Sequence, residues 1–228
     1  MKHVILTFLL IRLIGPVFSQ SAFRSESAIK ENPLDIADYY LLIPGEPYYS
    51  YDKKPAGVSE FELRKKYLNE TPTKKITIDK KNAFISIDDN TNDLEYRLEM
   101  TYFNKANGKK IIAVLEYQAG GDCDSRSLNF YEYAGQKFTN VTKQILPSVL
   151  FKDLFRDPAG EFSYTLLFQL EYKLPRVGTT LEVKALPLCE QDNRSDLTYE
   201  EYFKKFQRLE HISVALAWDR ASGTFSKK

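Results

Sequence analysis

Strict alternation from Leu94 to Tyr102 is the feature that most constrains the fold. Leu94-Glu95-Tyr96-Arg97-Leu98-Glu99-Met100-Thr101-Tyr102 switches between apolar and polar at every step, the period of a strand with one wet face. Asn107-Gly108 follows, a pair suited to a tight hairpin because both residues tolerate positive φ. A return strand over Lys110 to Gln118 carries Ile111, Ala113, Leu115 and Tyr117 on one face and Ile112 and Val114 on the other. Apolar residues on both faces place it centrally in a sheet. After the acidic loop Gly120-Gly121-Asp122-Cys123-Asp124, a third strand over Leu128 to Tyr133 turns at Ala134-Gly135 into Lys137-Phe138. The simplest object with these properties is an antiparallel meander.

Around this centre the signals alternate between strand and helix. Asn32-Pro33-Leu34-Asp35 reads as a helix start, with Asn32 as the cap, and Pro44 as its stop. Ser59 and Glu62 form a capping-box pattern for a second helix, and Thr198 and Glu201 another near the C-terminus. Pro147 opens a helix pattern carrying Leu150, Phe151, Leu154 and Phe155. Short strands are expected over Lys75–Lys80 and Ala83–Asp88, with Thr139 to Gln144 extending the last strand of the meander. Tyr164 to Leu174 places six alternate apolar residues on one face, and Thr179–Leu186 and Ile212–Trp218 follow as strands. The expected class is α+β, predominantly antiparallel sheet with about four short helices.

The N-terminus and the cysteines bear on compartment. Lys2-His3, the mostly apolar run Val4 to Phe18 and the small residue Ser19 read as a secretory signal peptide over residues 1–19. Arg12 interrupts the run, which argues against a membrane anchor of ~20 apolar residues. Removal of residues 1–19, with Lys2 and Arg12, takes the net charge from +1 to −1, a balance that calls for no nucleic acid. Residues 20–31, Ser-rich and charged, read as a flexible leader before a single domain over 32–228. Cys123 and Cys189 are an even pair in an exported chain, and a structural disulfide between them is the expectation. Landmarks repeat weakly in the two halves: a Gly turn, a cysteine, an aromatic strand and a second Gly turn. Two pseudo-repeat halves would meet near residues 147–160.

Three motifs carry a resemblance. Ala37-Asp38-Tyr39-Tyr40-Leu41-Leu42-Ile43-Pro44, then Phe130-Tyr131-Glu132-Tyr133 with Gly135, then Val141-Thr142-Lys143 with Leu146-Pro147 resemble, in that order, a group of uncharacterised exported bacterial proteins. The resemblance spans roughly Ala37 to Pro147. It implies export in a bacterium and a β-rich fold, and it brings no activity and no site residues.

Candidate chemistry is sparse. A hydrolytic triad needs a base beside its nucleophile, and the only histidine after the signal is His211, which reads as a strand-end residue. Asp88, Asn90, Asn92 and Glu99 partly match a calcium loop, yet Asp93 stands where that loop has glycine. A polar hairpin turn explains them as well. Glu95, Glu99, Glu116 and Glu171 lie on strands and could line a cleft suited to glycoside chemistry; a wet sheet face with cross-strand ion pairs is the simpler account. Tyr48, Tyr49 and Tyr51 form a tyrosine-rich loop able to serve as a binding surface. No cofactor is implied. The expected function is a non-catalytic binding or structural role for a secreted or periplasmic protein, facing a protein or glycan partner. The alternative is a carboxylate-based hydrolase acting on polysaccharide or cell-wall material.

Overall fold

The computed structural model describes residues 24–45, 57–69, 71–91, 95–119, 124–156, 168–190 and 197–228. Three short helices come first: α1 (Glu26–Glu31), α2 (Ile36–Leu42) and α3 (Glu60–Tyr67). Six strands follow: β1 (Lys74–Asp79), β2 (Phe84–Asp89), β3 (Glu95–Asn104), β4 (Lys110–Ala119), β5 (Ser125–Ala134) and β6 (Lys137–Asn140). They form one antiparallel sheet in sequential order. Two single helical turns, α4 (Thr142–Ile145) and α5 (Phe151–Leu154), lead to β7 (Phe155–Arg156). The rest comprises β8 (Gln169–Lys173), β9 (Thr180–Leu186), α6 (Tyr199–Arg208), β10 (Glu210–His211), β11 (Val214–Asp219) and β12 (Thr224–Lys227). β12-β11-β9-β8 form a second antiparallel sheet, and β7 pairs with β10. Both larger sheets place strands next to their neighbours in sequence, with β10 set apart from the smaller one.

Register decides what each face of the large sheet buries. Ile87 lies opposite Leu98, Ile85 opposite Met100, and Met100 in turn opposite Val114. These residues share a face, and α1, α2 and α3 cover it through Ile29, Ile36, Tyr40, Leu41 and Phe61. The other parity carries Phe84, Phe103, Ile111, Ala113 and Phe130, which meet Leu181, Val183, Leu216, Trp218 and Phe225 of the small sheet, with Tyr202 and Phe206 of α6. β4 is therefore covered on both faces, as its composition requires.

The hairpins supply the turns. Gly135 and Gln136 both take positive φ, 56° and 65°, the two-residue geometry that suits the twist of paired strands. At the β3–β4 tip Gly108 takes φ 81°. That tip docks on the β11–β12 tip: Ala106 N–H donates to the Arg220 carbonyl at 2.8 Å. Gly223 at the β11–β12 tip takes φ 71°, a conformation that favours glycine, and the flexible end of Lys105 lies against it.

Several expectations are corrected. Asp35, not Asn32, caps α2, its carboxylate accepting from the Ala37 and Asp38 amides at 3.0 and 3.3 Å. Asn32 instead closes α1. The segment read as a flexible leader is helical over Glu26–Glu31, with Ile29 fully buried. Arg24 ties this helix down, bonding the Ala28 and Asn32 carbonyls and Asp38. Composition misjudged the segment because one isoleucine in a polar run suffices when a partner face is waiting. Thr142–Ile145 is a helical turn rather than an extension of β6, because the Thr142 hydroxyl accepts the Phe130 N–H at 2.8 Å and ends the ladder. With α1 and α4 the described residues hold six helices where about four were expected.

Candidate functional site

The contact surface between the two sheets changes character along its length. At the stapled end it is aromatic: Phe103 lies 5.0 Å from Phe225 and 5.3 Å from Trp218, centroid to centroid. Moving back along β3, the same face continues as Thr101, Glu99, Arg97 and Glu95, because every second residue points the same way. Charged side chains cannot close a dry core, so the two sheets part here and leave a groove.

The groove encloses about 360 Å³. Glu95, Arg97 and Glu99 of β3, Leu115 and Tyr117 of β4 and Arg126 of β5 form one wall. The other side wraps round the edge of the small sheet: Tyr172 comes from the face that meets the large sheet, and Glu171, Lys173, Glu182 and Lys184 come from the opposite face. Among the described residues the lining thus holds four carboxylates, four cations and two tyrosines. Register explains the composition: Arg97 lies opposite Tyr117, and Tyr117 opposite Arg126.

Most of these charges are neutralised locally. Arg97 Nε donates to Asp88 at 2.7 Å and its Nη2 lies 3.6 Å from Glu95. Lys184 lies 3.1 Å from Glu182. Arg126 stacks over the Tyr117 ring at 4.6 Å, and both bond Asp124, at 3.3 and 3.1 Å. Glu99 differs. Burial raises its carboxyl above the ordinary glutamate range and the Asp88 charge adds to this, while Arg97, Lys173 and the Leu174 backbone N–H pull the other way without cancelling it. Burial likewise raises the Tyr172 hydroxyl.

A second hollow of about 300 Å³ continues the groove past Arg126. Asp124, Gln169, Leu186, Leu188, Cys189 and Tyr199 help to line it. The two hollows share Arg126, and β8 runs alongside both.

The residues singled out from sequence are distributed unevenly. Three of the four strand carboxylates, Glu95, Glu99 and Glu171, meet in the groove. Glu116 points to the helix-covered face, where it accepts from the Tyr96 and Ser127 hydroxyls at 3.2 and 3.4 Å. Of the calcium pattern, Asp88 and Glu99 share a face with Arg97 and Asp88 paired between them, Asn90 is exposed at the end of β2, and Asn92 lies outside the described residues. Tyr48, Tyr49, Tyr51 and Cys123 also lie outside the described residues. Cys189 borders the second hollow and is not a free thiol. His211 is remote from the groove; its Nε2 lies 3.0 Å from the Phe206 carbonyl and its ring packs on Phe155 and Phe206. Sequence reading missed Tyr117, Arg126, Tyr172, Lys173, Glu182 and Lys184. The signal was there for Tyr117 and Arg126, since strand parity puts them beside Arg97 once the register is known.

Among the described residues no group of three or more His, Cys, Asp or Glu side chains is arranged to hold a metal, and no helix is long and apolar enough to cross a membrane. No protein family profile and no curated protein matches the chain. Among solved structures it is similar to a domain of an uncharacterized protein from Porphyromonas gingivalis W83, at TM-score 0.50 and 12% identity over 85% of this chain and 97% of that one. That likeness is one of fold.

Proposed function

We propose that this is an exported binding protein whose ligand lies in the groove between the two sheets. The observation that carries the reading is the groove's lining, which among the described residues holds four carboxylates, four cations and two tyrosines around about 360 Å³. Paired charges of both signs suit an uncharged or zwitterionic polar ligand, since neither sign is left in excess. Tyrosines add flat, amphipathic contact area at low entropic cost. The apolar run Val4 to Phe18 supports export, which would make the ligand a periplasmic or extracellular peptide or glycan.

The test is thermal shift of the secreted chain against panels of peptides and cell-wall oligosaccharides. A ligand at a hundred times its Kd stabilises by about 2.7 kcal/mol. The reading predicts a shift lost in Tyr117→Ala and Tyr172→Ala. A ligand whose shift survives both substitutions binds elsewhere and overturns it.

One observation favours the hydrolase alternative. Glu99 holds its proton more tightly than an ordinary glutamate and shares the groove with a second carboxyl group, Glu171, and glycoside hydrolysis uses a pair of such groups. Hydrolysis of a cell-wall oligosaccharide that Glu99→Gln abolishes would establish it. Against it stand the ion pairs that neutralise the surrounding carboxylates.

A further inference from the structure

The outer edge of β8 is the feature of the groove that its side chains do not account for. Gln169–Lys173 is the outer strand of the small sheet, and among the described residues β8 pairs with β9 alone. Three successive residues, Glu171, Tyr172 and Lys173, line the groove. Side chains of a strand alternate between faces, so three in a row reach one groove only if the backbone edge itself borders it.

Glu99 shows which backbone groups point there. The backbone N–H of Leu174, one residue beyond β8, lies on the Glu99 side and favours the charged form of that carboxyl. That N–H therefore points toward β3 and away from β9. Backbone groups alternate sides along a strand, so the N–H and C=O of Tyr172 and Leu170 also face the groove. Those of Glu171 turn back toward its partner Lys184 on β9.

The opposite wall repeats at the same interval. Glu95, Arg97 and Glu99 alternate in sign at every second residue of β3, a repeat of roughly 7 Å. Same-face side chains of any extended peptide recur at this distance. The second hollow prolongs the groove beyond Gln169, so the strand-lined length exceeds roughly 16 Å for five residues.

We propose that β8 is a docking edge: an extended peptide segment of a partner, with side chains of alternating charge, adds to the small sheet as a fifth strand in the groove. This rests on the groove being the binding site and names its ligand class. Main-chain bonds to Leu170 and Tyr172 supply affinity, and the alternating wall of β3 reads side chains. The other account of Glu171 and Lys173 is that they are charges that keep a sheet edge from pairing. The two accounts predict opposite results.

The probe is an array of acetylated, amidated nonapeptides in which threonine alternates with Lys, Arg, Glu or Asp. The strongest binder is then remade twice, N-methylated on alternate amides in one register or in the other. Strand addition predicts that one register weakens binding at least ~tenfold per amide lost, about 1.4 kcal/mol, while the other leaves it nearly unchanged. On the protein, Tyr172→Pro should weaken binding ~tenfold beyond Tyr172→Ala. Both lose the ring, and only proline removes the edge N–H. Equal tolerance of both N-methylated registers would overturn strand addition while leaving the groove as the binding site. Binding of oligosaccharides alone would overturn the peptide class, again leaving the groove intact. If nothing binds in the groove, both readings fall. Should Tyr172→Pro unfold, the peptide arm still decides.

Discussion

The Trp218 indole Nε1 donates a 3.0 Å hydrogen bond to the Asn104 carbonyl, joining the two sheets across 114 residues of sequence. It closes the aromatic end of the interface, so the sheets diverge only at the charged end. Trp218→Phe removes this bond and part of the indole packing on Phe103 and Phe225. The expected loss is ~1–3 kcal/mol in a denaturant titration. A loss below ~0.5 kcal/mol would mean that the sheets are held together elsewhere.

Leu98 and Leu115 belong to similarly patterned strands and differ in fate. Leu98 is 1% exposed under the helices, whereas Leu115 is half-buried at the groove. Leu98→Ala is expected to cost ~2–5 kcal/mol, and Leu115→Ala under ~2 kcal/mol. Equal losses in chemical denaturation would contradict the assignment of the groove to the β3–β5 face.

Glu99 makes a prediction with a definite sign. Its folded pKa is raised, so within the titration window the folded state binds the proton more tightly than the unfolded chain does. Stability contributed by Glu99 is present below its unfolded pKa and is lost as pH rises through the raised folded value. Glu99→Gln should flatten that fall and be at least as stable as the wild type at neutral pH. Denaturation midpoints collected from about pH 4 to about pH 8 test this; a variant curve parallel to the wild type would refute it. Asp35, bonded to Lys80 and the α2 amides against the effect of burial, is shifted down and opposes Glu99 at the acid end.

Tyr40 is fully buried and among the described residues its hydroxyl has no hydrogen-bond partner, although the Arg64 guanidinium lies 5.4 Å from its ring centroid. Removing an unsatisfied buried hydroxyl relieves a desolvation cost. Tyr40→Phe is therefore expected to be neutral or stabilising by up to ~1 kcal/mol. A destabilisation of ~1 kcal/mol or more would reveal a bond between the hydroxyl and Arg64.

Export as proposed would place the chain where thiols oxidise, and with Cys123 and Cys189 its two cysteines, we expect them to be joined. The enclosed 66-residue span gives about 4 kcal/mol at most, seen as a lower melting temperature on reduction. Non-reducing mass spectrometry showing two alkylatable thiols per chain, or a covalent dimer, would exclude the bond.

What the sequence by itself determined is the content of its strands. Alternation from Leu94 to Tyr102, Asn107-Gly108 and the doubly apolar β4 already specify an antiparallel meander, because side-chain parity is a local property and a one-residue slip would expose a whole apolar face. Capping by Ser59 and Thr198 is local for the same reason. Tertiary structure decided the rest. It decided that Ile29 has a face to bury, which turns a polar leader into a helix. It decided that Glu95, Glu99 and Glu171 converge while Glu116, one residue from Leu115, faces the helices. No local signal records which face of one sheet will meet the edge of another. That depends on where the two hairpin tips lock, Ala106 on Arg220 and Trp218 on Asn104. The groove is what remains where charges on β3 prevent the same interface from closing.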